Sequence, residues 1–134
     1  MSIEFIFVYG TLRKDTTLNK HYMLEPDCSY YSEATMQGKL YDVDGYPGAI
    51  LSDNPRDIVY GDVYTITNSA FVFSQLDNYE SCSDNYPKPQ EYRREKLNIS
   101  LSNGRKISAW VYLFNHHILN LKQIVSGDYL NMPE

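Results

Sequence analysis

The chain has 134 residues, a size that suits one domain and lets folding bury roughly two-thirds of the surface an unfolded chain exposes, without help from a disulfide or structural metal. Seventeen Asp and Glu against twelve Lys and Arg leave a formal net charge of −5, and the basic residues are scattered apart from a short Arg93, Arg94 and Lys96 group. That balance argues against a nucleic-acid-binding protein, which needs a broad positive face, and no apolar run approaches the ~20 residues of a membrane-spanning helix.

Residues 3–9 are aromatic and β-branched, interrupted by Glu4, and stop at Gly10, a pattern that predicts a largely buried strand. Asp15 or Thr16 then caps a predicted short helix to about Leu24, with Leu18 and Tyr22 on one face and Pro26 beyond its end. Residues 28–43 return to strand. The Asp44-Gly45-Tyr46-Pro47-Gly48 cluster reads as a turn before the apolar Ala49-Ile50-Leu51, and residues 52–57 as another turn before a strand over residues 59–66. Thr67 to Ser69 offers N-cap chemistry for a short amphipathic helix over residues 70–80, with Val72, Leu76 and Tyr79 at helical spacing. A polar loop with two prolines covers residues 81–90. Residues 94–101 and 106–114 flank Ser102-Asn103-Gly104-Arg105, and Asn-Gly between two strand patterns is a strong hairpin signal. Several strands and a few short helices, without regular strand-helix alternation, predict an α+β domain with a strongly curved or closed mixed sheet spanning residues 1–134.

Cys28 and Cys82 are far apart without metal-ligand spacing, and residues 1–20 lack a basic and apolar leader pattern, so the chain reads as cytoplasmic with free thiols. In that setting the Asn98-Ile99-Ser100 sequon carries no meaning. His116 and His117 are sequence neighbours that a strand would point apart, and with no third ligand a metal is not expected. Neither cysteine has the context that activates a thiolate, and no serine is paired with a histidine by pattern. Oligomeric state leaves no mark in the sequence.

Glu80 stands out among the carboxylates. It follows Leu76 by one helical turn and so shares the face of a core-directed residue, at the negative end of the helix dipole, with Asp77 three residues back. Burial, dipole and like charge all disfavour its ionised form, which suits a proton shuttle near neutral pH. The alternative is a solvated carboxylate ending an exposed helix. Gly10 poses a similar choice: the N–H groups of Gly10, Thr11 and Leu12 can form a small anion-binding concavity, or the glycine simply lets the chain turn. No second glycine and no Lys-Ser/Thr follow, so this is not a phosphate loop. Trp110 reads most simply as core, and Arg13 as either an attractor of anionic substrate or a solvated side chain.

Taken in order, Val8-Tyr9-Gly10-Thr11-Leu12-Arg13, Gly38-Lys39-Leu40-Tyr41-Asp42 with Tyr46-Pro47-Gly48, Gly61-Asp62-Val63-Tyr64, Leu76-Asp77-Asn78-Tyr79-Glu80, Tyr92-Arg93-Arg94, Ala109-Trp110-Val111-Tyr112 and Ser126-Gly127-Asp128-Tyr129 resemble the γ-glutamylcyclotransferase-like (AIG2-like) family over nearly the whole chain. The resemblance implies a mixed α/β fold built on a β-barrel, with a cavity floored by the Tyr9-Gly10-Thr11-Leu12 turn and Glu80 as its general acid and base. It implies an enzyme that cyclises the γ-glutamyl group of a small γ-glutamyl amine or conjugate to 5-oxoproline without a cofactor, with Tyr46 and Tyr92 lining the cavity. A non-catalytic module of the same fold that binds a small carboxylate is the alternative, and an interaction protein with a tyrosine-rich surface a third. One position departs from the family pattern: Ser81 stands where relatives usually carry glycine, and serine adopts a left-handed conformation less readily.

Overall fold

A computed structural model describes residues 4–10, 28–43, 46–67, 69–79 and 92–129. The first strand, β1, spans Glu4–Val8 and ends, as its composition predicts, just before Tyr9 and Gly10. The long β2 covers Cys28–Val43, β3 Tyr46–Leu51 and β4 Ile58–Ile66; the helix α1 covers Ser69–Tyr79, and β5 (Tyr92–Leu101), β6 (Lys106–Phe114) and β7 (Lys122–Gln123) complete the order. The expected helix over residues 15–24 and the polar loop over 81–90 lie outside the described residues.

Five strands close a mixed barrel in the order β2, β4, β1, β6, β5 and back to β2. β1 is antiparallel to β4, with Val8 opposite Asp62, and parallel to β6, with Ile6 opposite Trp110. The ring closes through a short seam between β2 and β5, where Ala34 faces Leu101 and Thr35 faces Ser100. β2 serves two sheets. Residues 28–37 pair with β4, and beyond them the strand diverges to pair with β3 and β7. An irregularity between Tyr30 and Ser32 shifts the register, so that Tyr30 packs edge-on to Tyr64 while Tyr31 reaches Phe5 on the other side of the sheet.

Alternation separates two apolar clusters. Phe7, Tyr9, Val59, Val63, Ile99, Ala109, Val111 and Leu113 fill the barrel. Ile6, Val8, Tyr64, Tyr112 and Phe114 face outward and are covered by Val72, Phe73 and Leu76 of α1. Because β1 is buried on both faces, its sequence is a continuous apolar run rather than an alternating one. Trp110, expected in the core, is instead half-buried on the outer face, its ring against Phe73 at 5.7 Å and its Nε1 donating to a Glu4 carboxylate oxygen at 2.8 Å.

Two local differences from the sequence reading have simple causes. The predicted turn over residues 44–48 is shorter, because β3 already begins at Tyr46, opposite Val43. Pro47 fits there since β3 is an edge strand, where the missing N–H breaks no ladder. β7 has two residues, too few for any periodicity to announce. The Asn103-Gly104 hairpin forms as read: the Gly104 N–H donates to the Leu101 carbonyl at 2.9 Å, and Gly104 takes φ +89°, a value that suits glycine. No helix among the described residues is long and apolar enough to cross a membrane.

Candidate active site

The C-terminal ends of β1 and β6, the start of β5 and the first residues of β3 meet at one end of the barrel. Two tyrosines hold β3 there. The Tyr9 hydroxyl, inside the barrel mouth, donates to the Tyr112 carbonyl at 2.5 Å and accepts the Ala49 N–H at 3.2 Å. Tyr92 is buried, packs edge-on against Phe114 at 5.6 Å, and donates its hydroxyl to the Pro47 carbonyl at 2.7 Å. Both hydroxyls are thus engaged by main chain. Gly10 lies against the same segment. A Cβ on it would come within 2.5 Å of Pro47 Cγ, so the close approach of β1's end to β3 requires glycine.

Of the residues singled out in the sequence, the structure therefore gathers Tyr9, Gly10 and Tyr92 around Pro47 and Ala49. Tyr46 pairs through its backbone with Val43, and its side chain is outside the described residues, as are Thr11, Leu12, Arg13, Glu80 and Ser81. α1 ends at Tyr79, directly before Glu80, and Leu76 is fully buried against the outer face of the barrel as its spacing predicts. His116 is exposed beside the Phe114 ring, and no group of three potential metal-ligating side chains occurs among the described residues.

Two features of this region go beyond the sequence reading: a buried Asp62 and the partners of Asp77. Asp62 is the buried charged side chain among the described residues, 1% exposed, and lies opposite Val8 on the helix-covered side of the sheet. Its signal is a carboxylate two residues from Tyr64 and four from Ile66 on a row that is otherwise apolar at that end. A carboxylate so buried is retained only with polar groups around it, and here it sits beside the strand end that leads to Gly10. The second is Asp77. Its Oδ1 accepts the Tyr112 hydroxyl at 2.7 Å and lies 3.2 Å from Arg94 Nη1, an ion pair without the alignment of a hydrogen bond. Arg94 in turn stacks over Phe73 at 4.1 Å and lies 5.2 Å from the Trp110 ring. Asp77, expected to add like charge beside Glu80, is instead accompanied by a cation that offsets it.

Comparison with known proteins agrees with this architecture. The family model for gamma-glutamyl cyclotransferase, AIG2-like, matches residues 6–131. The gamma-glutamylcyclotransferase family protein YtfP of Escherichia coli strain K12 is 30% identical over 127 residues, covering 94% of this chain and 96% of that protein. Its solution structure superposes with a TM-score of 0.62, covering 95% of this chain and 96% of that one. YkqA of Bacillus subtilis superposes at 0.68 with 26% identity over 96% of this chain, which spans 40% of the YkqA chain. An AIG2-like protein of Mus musculus shares the fold at a TM-score of 0.68 with 20% identity, over 87% of this chain and 80% of that one. With the matched region reaching from β1 past β7, the chain belongs to the gamma-glutamyl cyclotransferase, AIG2-like family.

Proposed function

We propose that the protein is a γ-glutamylcyclotransferase acting on a γ-glutamyl amine or short γ-glutamyl conjugate, with Glu80 as general acid and base. The observation that carries this reading is how α1 runs along β6. Phe73 packs on Trp110, and one helical turn later Asp77 meets Tyr112. Four helical residues advance about 6 Å and two strand residues about 6.6 Å, so helix and strand stay in step. Another such step leads to Phe114 on β6 and, through the parallel pairing of Ile6 with Trp110, to the level of Gly10 on β1. The residue after Tyr79 is Glu80. It lies three residues beyond Asp77, about 4.5 Å of helical rise, so a helix continued by one residue would carry its carboxylate toward the level of the β1 turn.

In the reaction the substrate's own α-amine attacks its γ-carbonyl carbon. A new C–N bond closes a five-membered ring, and the original amide C–N bond breaks to release the amine. Glu80 takes a proton from the attacking ammonium and returns one to the leaving nitrogen, so no protein nucleophile and no cofactor is consumed. Partial burial and the C-terminal end of the helix dipole, if they act on this carboxyl as its place in the sequence implies, would raise its affinity for a proton. N–H groups at Gly10, Thr11 and Leu12 would hold the substrate carboxylate or the oxyanion, and the ring of Tyr92, with Tyr46, would wall the cavity. Holding the ring-closing pose supplies an orientation effect of several kcal/mol. The chain would act as one domain in the cytoplasm, on small molecules rather than nucleic acid.

The test is 5-oxoproline release from a panel of γ-glutamyl amines. Wild type is expected to turn over at least one, and Glu80→Gln to lose about 10²–10⁴ in kcat. Undiminished turnover in the variant would overturn the assignment. Tight carboxylate binding without product in either form would identify a binding module instead.

A further inference from the structure

We propose that Asp77 is a positioning residue: gripped by Tyr112 and Arg94, it fixes the axial register of α1 on β6 and thereby the reach of the carboxylate that follows the helix. The inference rests on Glu80 being the acid and base, but its observations lie in α1 and in strands β1, β5 and β6.

Apolar contacts alone set a helix's register on a sheet loosely. Val72, Phe73 and Leu76 bury their surface against Ile6, Val8, Tyr112 and Phe114, a field of similar side chains that offers acceptable contacts over a range of positions. The Asp77 contacts are directional. One carboxylate oxygen receives a hydroxyl from β6 at 2.7 Å and faces a guanidinium from β5 at 3.2 Å, and Tyr112 and Arg94 are themselves cross-strand partners. Arg94 is braced a second time by the Phe73 ring one helical turn before Asp77, so the same cation touches the helix at two levels. A slip by one turn, about 5.4 Å, would break every one of these contacts. The grip falls in the last turn of α1, where backbone carbonyls lack helical partners and fraying is easiest. A displacement of only ~1 Å in a catalytic group can cost ~10² in rate, so the clamp acts on turnover more than on binding.

The experiment compares full-length wild type with Asp77→Leu, Tyr112→Phe, Asp77→Asn and Glu80→Gln, well below each melting temperature. For Asp77→Leu, kcat is expected to fall about 10- to 100-fold with KM within about twofold, and Tyr112→Phe to show a smaller loss of the same kind. Asp77→Asn keeps an oxygen for the Tyr112 hydroxyl and should recover most of the rate, which a demand for bulk or charge alone would not produce. Independently of turnover, amide exchange at residues 76–79 should rise about tenfold or more in Asp77→Leu while β6 amides hold steady. If Asp77→Leu leaves both kcat and this exchange unchanged while Glu80→Gln abolishes turnover, the clamp is overturned and the proposed function stands. If Glu80→Gln retains full turnover, the acid-base assignment falls and the positioning role with it. If wild type forms no product, the exchange result alone decides the register claim, for it or against it.

Discussion

Replacing Tyr9 with phenylalanine removes one oxygen atom and unties two strands. In the barrel mouth that hydroxyl donates to the Tyr112 carbonyl and accepts the Ala49 N–H, and both tyrosine and alanine are buried, at 6% and 0% exposure. The phenyl ring would keep the packing and leave Ala49 with a donor in an apolar setting, a loss of about 1–3 kcal/mol. The Tyr112 carbonyl loses an acceptor contact worth about 0.5–1.5 kcal/mol, part of which its second lone pair can recover. The total is about 1–4 kcal/mol. Urea unfolding should show it as a fall in midpoint at constant slope, since the exposed area is unchanged. Because the hydroxyl is turned to the main chain, KM for a γ-glutamyl substrate should change little in Tyr9→Phe while the protein melts earlier. A loss below about 0.5 kcal/mol would refute the view that this hydroxyl fastens β3 to the barrel.

Gly10→Ala places a methyl against Pro47 Cγ at 2.5 Å, and overpacking of this sort costs about 1–3 kcal/mol; kcat/KM should also fall at least about tenfold if the adjoining turn holds the substrate. Gly104→Ala is its control, measured by melting and by 5-oxoproline release. At φ +89° with nothing within 4 Å of its Cβ, that alanine should cost about 1–2 kcal/mol of conformational strain and leave turnover untouched, because the hairpin tip is at the other end of β6.

Periodicity and punctuation announced the elements whose signals are local. β2 and β4 were visible as strand-forming runs between turn clusters, and the β5–β6 hairpin in Asn103-Gly104. α1 showed itself in Val72, Leu76 and Tyr79, and begins one residue before the expected start, while residue 80 lies outside the described residues. The closure of the sheet was legible as a fold class but not as a register, since Ala34 meets Leu101 through a pairing that no local pattern encodes. β3 was shortened on paper by Pro47 and Gly48, residues that deter a central strand but suit this edge. At the candidate site, the glycine after β1 and the inward face of α1 could be read directly. The partners of Asp77 could not, because Tyr112 and Arg94 are distant in sequence and their meeting depends on how the helix docks.

The parallel pairing of β1 with β6 also bears on how the protein is made. Glu4 and Trp110, joined by a hydrogen bond across this pairing, are separated by 106 positions along the chain. As the polypeptide leaves the ribosome, β1 can first zip against β4, once residue 66 has emerged, but its other edge stays open until nearly all the remaining strands exist. Its apolar faces have no barrel to enter before then. High contact order of this kind slows two-state folding to roughly milliseconds to seconds and lengthens the time in which a nascent strand edge can be captured by a neighbour or guarded by a chaperone.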